Sequence, residues 1–323
     1  DTPEENAFRL KARQWMAGRL PPRVHGEPAN AFEDAALVQR DKAIQRMLWD
    51  GGLAGITVPT LYGGQGLSQR FEDIFLEEAE PYRLPWHFGN AFNIVLPVLL
   101  VHGTEDQKQR HIPGMLRGDV MWCQLLSEPS GGSDLAGLLT RAEKRGDKWV
   151  LNGSKVWTSG GQVSEMGLCL ARTDPTVRKH AGLTAFLVDM HAPGVTVNPI
   201  RLVHGGSDFA QEFLDDVEVS DAERVGEVND GWTVAGTQLA SERAGMAKGW
   251  HVGLRQAAAS EHIELSPRYA DLARQLGRAQ DPLARQLAGD AWVNDEVYNL
   301  LAKRIGTGMR NGRLPPTTGM VSS

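Results

Sequence analysis

Four features of the chain bring chemistry-bearing residue types together. The first is Gln124-Leu125-Leu126-Ser127-Glu128-Pro129-Ser130-Gly131-Gly132-Ser133-Asp134-Leu135-Ala136, where an apolar run gives way to hydroxyls and glycines. Glycine permits close approach to the main chain, so N–H groups and Ser hydroxyls there can cradle an anion or a heteroaromatic ring. The same composition suits an ordinary turn that caps a helix. The second, Trp157-Thr158-Ser159-Gly160-Gly161, sets an indole before two hydroxyls and two glycines. It reads either as a flat, hydrogen-bonding wall for a planar cofactor or as a strand end whose Trp is core.

The third feature is the helix opened by Asn229-Asp230-Gly231, where Trp232, Ala235, Leu239, Glu242 and Met246 recur every three or four residues and share one stripe. A carboxylate on that stripe is partly desolvated. At helical spacing its neighbours are Gln238, Leu239, Gly245 and Met246, none of them cationic. Burial without a local cation raises a carboxyl pKa, the tuning that a general base near neutrality needs. An Arg from another helix would instead make Glu242 half of an ion pair. The fourth feature, Arg243, is turned about 100° around the same helix. It could reach a ligand's phosphate or carbonyl, or lock two helices together.

Other chemistries lack support. The nine histidines are scattered with no HExxH, and neither a GxSxG elbow nor a P-loop occurs. The two cysteines, Cys123 and Cys169, form no CxxC pair, so no metal site is expected and a reducing, cytoplasmic setting fits. Lys+Arg 34 against Asp+Glu 40 gives a net charge of −6, which argues against a nucleic-acid binder. The longest apolar stretch, Phe92 to Val101, contains Asn93 and Pro97 and falls short of the ~20 residues that span a bilayer. The start, Asp1-Thr2-Pro3-Glu4-Glu5, has neither the basic region nor the apolar run of a secretory signal, and it lacks an initiator Met.

The elements that must position these residues follow a simple order. Up to about Gly118 the period is helical, with Asp34 to Asp50 and Glu72 to Glu80 the clearest segments. From Val120 short apolar runs alternate with Gly, Pro and Asn, as in packed strands. Asn152-Gly153 predicts a tight hairpin within Lys148 to Trp157, and further strands are expected at Gly167 to Ala171, Leu183 to Asp189, Val195 to Leu202 and Glu212 to Val219. After Gly226 the helical period returns to about Gly308, with Asp281-Pro282 as N-cap and first turn. The expected class is α+β multidomain: a helical domain over 1–118, a β domain over 119–225 and a helical domain over 226–323.

Taken together, the chain resembles an acyl-CoA dehydrogenase. The resemblance runs through Gly55-Ile56-Thr57-Val58-Pro59, Tyr62-Gly63-Gly64-Gln65-Gly66-Leu67, Ser127-Glu128-Pro129, Gly132-Ser133-Asp134-Leu135-Ala136 and Leu151-Asn152-Gly153-Ser154-Lys155-Val156-Trp157. It continues through Gly205 to Phe209, Leu214-Asp215-Asp216-Val217, and Gly231-Trp232 leading to Glu242-Arg243. It implies a β-barrel-like middle domain, a C-terminal helical bundle, and FAD bound between them. By motif, Gln124, Leu126 and Ser127 would line the flavin, with Gly132 and Ser133 at the cofactor and CoA. Trp157, Thr158 and Ser159 would meet the flavin's far side, while Ser133, Ser241 and Arg243 would serve the substrate. Glu242 matches the catalytic base of the isovaleryl, long-chain and certain steroid-degrading bacterial types.

The implied reaction removes an α-proton and a β-hydride from an acyl-CoA thioester. It yields the trans-2-enoyl product and passes electrons to an electron-transferring flavoprotein. A non-catalytic partner subunit of a heteromer, and an oxygen-using flavin oxidase or monooxygenase, are the alternatives on the same fold. Dimers or tetramers are implied. The family's Arg-x-x-Phe-Gly element, which holds the FAD pyrophosphate, has only Ser266-Pro267-Arg268-Tyr269-Ala270 as a counterpart. Its Gly-Gly-rich turn and last helices would follow Leu314-Pro315-Pro316-Thr317-Thr318-Gly319. Asp271-Leu272-Ala273-Arg274, Asp281-Pro282-Leu283 and Gly308-Met309-Arg310 resemble bacterial members that act on bulky or steroid-derived acyl groups.

Overall fold

A computed structural model describes residues 1–23, 32–248 and 265–314. The chain divides into two compact units, residues 1–241 and 242–323. The first opens with helices α1 (Pro3–Met16), α2 (Ala35–Asp50), α3 (Gln69–Ala79), α4 (Leu96–His102) and α5 (Glu105–Arg117). Their starts have local causes. The Asp34 side chain accepts from Ala36 N and Leu37 N at the head of α2, and Thr104 with Gln107 forms a reciprocal capping box at α5. A π-helical turn over Ala91–Val95 leads into α4 and puts Asn90 at its start.

Strands β1 (Trp122–Leu125), β2 (Arg141–Arg145), β3 (Lys148–Ser159), β4 (Met166–Arg172), β5 (Leu183–Asp189), β6 (Val195–Ile200), β7 (Phe209–Ser220) and β8 (Arg224–Val225) form one eight-stranded sheet. Its order is β6-β7-β3-β2-β4-β5-β8, with β1 added in parallel to β4. Alternation along the central strands divides two cores. Leu168, Leu170, Ala185 and Leu187 join Phe88, Ile94, Leu99 and Met115 from the helices, while Cys169, Ala171, Phe186 and Val188 meet Leu151, Trp149 and Leu214 on the other face.

The expected turn at Asn152-Gly153 is not a turn. Lys148–Ser159 is one continuous strand, and the hairpin with β2 closes at Gly146-Asp147, where Gly146 takes φ +67. Asn152-Gly153 is instead an irregularity against β7, with the register shifting between Leu151 and Gly153. Asn152 Nδ2 donates to Asp216 Oδ1 and Asp216 N donates to Asn152 Oδ1, both at 3.0 Å, and Asp216 adopts φ 48. Gly153 is needed because a Cβ there would lie 2.4 Å from Thr140 Oγ1.

Helix α6 (Gly231–Lys248) begins in the first unit and runs into the second. The second unit also contains α7 (Leu265–Gln275) packed on α8 (Pro282–Arg310). Asp281 caps α8 as expected, its carboxylate accepting from Leu283 N at 2.9 Å. No helix among the described residues is long and apolar enough to cross a membrane. Pro315 to Gly319 lie outside the described residues, as do the side chains of Met246, Ser266, Pro267, Arg268, Met309 and Arg310.

Candidate active site

One end of the sheet gathers most of the predicted residues of the first unit. The loop after β1 is stitched to β3 where Val156 N donates to Ser127 O at 2.9 Å. Glu128 and Gly131 then close a tight turn through reciprocal backbone bonds of 3.0 Å. That turn leaves Gly132 and Ser133 exposed, and Ser127 Oγ lies 3.5 Å from where a Gly132 Cβ would be. Leu126 is buried and Gln124 half-buried. Gln238 on α6 donates its amide to Gln124 Oε1 at 3.0 Å, which ties that helix to β1.

Trp157 is not core. It adopts φ 62, a left-handed conformation costly for a bulky residue, and leaves its side chain 57% exposed, edge-on to Phe209 at 6.1 Å. The β3/β7 register shifts between Val156 and Thr158, so the strained residue is the one that steps out of the ladder. Ser159 is half-buried, and its carbonyl accepts from Asn90 Nδ2 at 3.0 Å. Neither the Ser127 nor the Ser159 hydroxyl is engaged by a described residue. Thr158 differs: it is buried, and its hydroxyl donates to Glu212 Oε2 at 2.6 Å, on the inner side of the sheet.

Two acids are buried beneath this edge, Glu128 within the Ser127-Glu128-Pro129 motif and Glu212 outside any motif. Glu128 is held by Lys155, whose ammonium donates to Glu128 Oε1 at 2.9 Å, Leu126 O at 3.1 Å and Leu170 O at 2.8 Å. Leu139 N and Thr140 N add bonds of 2.6 and 2.9 Å to the same carboxylate. Burial alone would raise the Glu128 pKa, but Lys155 and the donors at Thr140 and Leu139 outweigh it and hold the carboxyl below its ordinary range. Glu212 is the opposite case. Burial pushes it up to about 7 against the opposing pull of Thr158, its own backbone and Lys155.

On α6 the buried positions are Gly231, Val234, Ala235 and Gln238, with Leu239, Ser241, Glu242 and Arg243 half-buried. Trp232 does not belong to the buried stripe. It is 38% exposed and meets the His180 ring edge-on at 4.7 Å. Glu242 still falls in phase with the buried side, one turn beyond Gln238. Ser241 closes the first unit, and Glu242 and Arg243 open the second.

The chain matches the family profiles "Acyl-CoA dehydrogenase, N-terminal domain" over residues 2–119 and "Acyl-CoA dehydrogenase, middle domain" over residues 123–217. The acyl-CoA dehydrogenase IpdE1 of Mycolicibacterium smegmatis is 35% identical over 306 residues, 90% of this chain and 75% of that protein. The chain belongs to the acyl-CoA dehydrogenase family. Acyl-CoA dehydrogenase FadE34 of Mycobacterium tuberculosis is 51% identical over 157 residues, covering 49% of this chain but only 22% of that longer protein. Among solved structures, the Tcur3481-Tcur3483 steroid acyl-CoA dehydrogenase matches with a TM-score of 0.76 and 30% identity, over all of this chain and 80% of that one. The helix, sheet, helix succession read from the sequence is therefore that of the acyl-CoA dehydrogenase fold.

Proposed function

We propose that this acyl-CoA dehydrogenase family member uses FAD to dehydrogenate an acyl-CoA thioester to the trans-2-enoyl-CoA and passes the electrons to an electron-transferring flavoprotein, in the cytoplasm. Its working parts would be the divisions 1–118, 119–225 and 226–323. The observation that carries this reading is the pairing of two cofactor-type segments. The Ser127 loop and Trp157–Ser159 are joined by Val156 N to Ser127 O and keep two hydroxyls unengaged by described residues.

These residues fit a flavin. The Trp157 indole offers a flat exposed face, Ser127 and Ser159 offer hydrogen bonds, and exposed Gly132 and Ser133 suit the CoA or phosphate end. What Thr158 offers that side is its main chain, because its hydroxyl is committed to Glu212. FAD, when bound, supplies the hydride acceptor for the β-carbon. Glu242, half-buried on α6, accepts the α-proton as its carboxylate. Ser241 and Arg243 steady the thioester and its CoA.

Resemblance to a steroid-acting relative favours a bulky or steroid-derived acyl group. Replacing Glu242 by Gln should leave the loaded protein yellow and slow its bleaching by acyl-CoA at least ~100-fold. Undiminished bleaching would place the base elsewhere. The double designation Tcur3481-Tcur3483 favours a second reading, in which this chain is one subunit of a heteromer. A full flavin complement on the chain purified alone would count against it.

A further inference from the structure

Glu212 occupies an inward position on β7, between Ala210 and Leu214, and is fully buried. Its cross-strand partner on β3 is Lys155, yet that ammonium does not neutralise it. The three Lys155 protons go to Leu126 O, Glu128 Oε1 and Leu170 O. Glu212 is left with Thr158 Oγ1 on one oxygen, while Oε1 has no hydrogen-bond partner among the described residues. Gly161 is packed so closely above Oε1 that a Cβ there would lie 2.2 Å away. One hydroxyl and one empty oxygen are a poor setting for an anion and an adequate one for a neutral acid.

Among the described residues the surrounding elements supply no other counter-charge. On β3 the titratable neighbour is Lys155, and in the loop after β1 it is Glu128. β1 and β4 contribute the thiols of Cys123 and Cys169, both pushed up by burial and both sensing Glu212. Strand β6 places uncharged Val197 opposite Glu212, and the turn Gly161–Val163 contains no titratable residue.

We propose that Glu212 is a positioning residue for the cofactor wall: a buried acid that holds Thr158 from behind and whose charge state is coupled to the electron affinity of a flavin lying against Trp157–Ser159. This deepens the proposed function and rests on its reading of Trp157–Ser159. When Glu212 is neutral, the wall carries no charge behind it. When it ionises by releasing its proton to solvent, Thr158 donates to a carboxylate, and a negative charge with no cation bonded to it stands behind the segment. That charge disfavours addition of electrons to the flavin. Burial sets the change-over at about 7, so neutral pH falls on the sensitive range.

Infrared spectroscopy of the flavin-free chain tests the acid itself. Between the ordinary carboxyl range and neutrality, the carbonyl stretch of a protonated carboxylic acid should be present, vanish as pH rises through the change-over, and be missing in Glu212→Gln. Thr158→Val should move its disappearance to higher pH, because the donor that stabilises the carboxylate is gone. A wild-type minus Glu212→Gln difference spectrum that lacks this band at about pH 6, where ordinary carboxyls are ionised, overturns the proposal. Spectroelectrochemistry of the flavin-loaded chain tests the coupling. The potential of wild type should fall below that of Glu212→Gln as pH rises across neutrality and converge with it on the acid side. A gap that does not change with pH overturns the coupling. Failure of wild type to take up FAD would sink the functional reading alone, and the infrared result would still decide whether Glu212 is the stored acid.

Discussion

Replacing Lys155 by Met removes a charge and keeps the aliphatic stem. The buried Glu128 carboxylate then retains its bonds from Leu139 N and Thr140 N but loses the one cation that pairs with it among the described residues, and Leu126 O and Leu170 O lose a donor. Removing one partner of a buried ion pair costs about 3–5 kcal/mol. The loss has a sign in pH. With Lys155 present the folded-state pKa of Glu128 is depressed, so its contribution is in force above the ordinary Glu value of about 4.3 and is lost as pH falls through the folded value. In the variant, burial dominates and the folded pKa rises above the unfolded one, so the penalty grows as pH rises through and beyond that value. Urea unfolding of the full chain, followed by circular dichroism, should therefore show a gap of about 3–5 kcal/mol at neutral pH that narrows on acidification. Adding Glu128→Met to Lys155→Met should recover most of it, since an apolar pair leaves no stranded charge. A single-variant loss below about 1 kcal/mol, the range of exposed pairs, or a loss indifferent to pH, would refute this account of Lys155.

Two further outcomes follow from the backbone. Gly153→Ala should lower stability by about 1–3 kcal/mol, since the added carbon meets Thr140 Oγ1 at 2.4 Å; a melting temperature equal to wild type would contradict the close packing of β3 on Thr140. Trp157→Gly relieves a left-handed conformation that costs a bulky residue about 1–2 kcal/mol while removing the proposed flavin wall. Urea unfolding of the flavin-free variant should show no loss of stability, and flavin titration should show affinity reduced at least about tenfold. Unimpaired flavin affinity would remove Trp157 from the site.

Strand and helix spans were largely legible because their signals are local. Leu183–Asp189 is a largely apolar run, and Asp281 is a capping residue in sequence as in space. What escaped depends on distant partners. Asn152-Gly153 has the composition of a hairpin turn, but Asp216 and Thr140, both remote in sequence, convert it into an irregularity inside a long strand. On β7 Phe213 is 40% exposed and its neighbour Glu212 buried, the reverse of what their polarities alone would favour. Thr158 reads like Trp157 and Ser159 in the sequence, since nothing local shows a carboxyl behind it. Trp232 drew the α6 stripe one position off because its size outweighs its exposure in any apolar count. Asn90 belongs to no local pattern and Lys155 sits in a motif that does not name its partners; only the folded sheet brings them to Ser159 and Leu126.

The strand order also dictates a sequence of events as the chain folds. The β2–β3 hairpin closes through adjacent residues and can form at once, whereas β1 must wait for β4, and β3 acquires its other neighbour only when β7 has emerged. Both segments that would face a flavin hang on those late pairings. On the proposed reading, a nascent chain would therefore have nowhere to load a flavin until the sheet is nearly finished, and a defect in β7 would be felt first as slow uptake of that flavin.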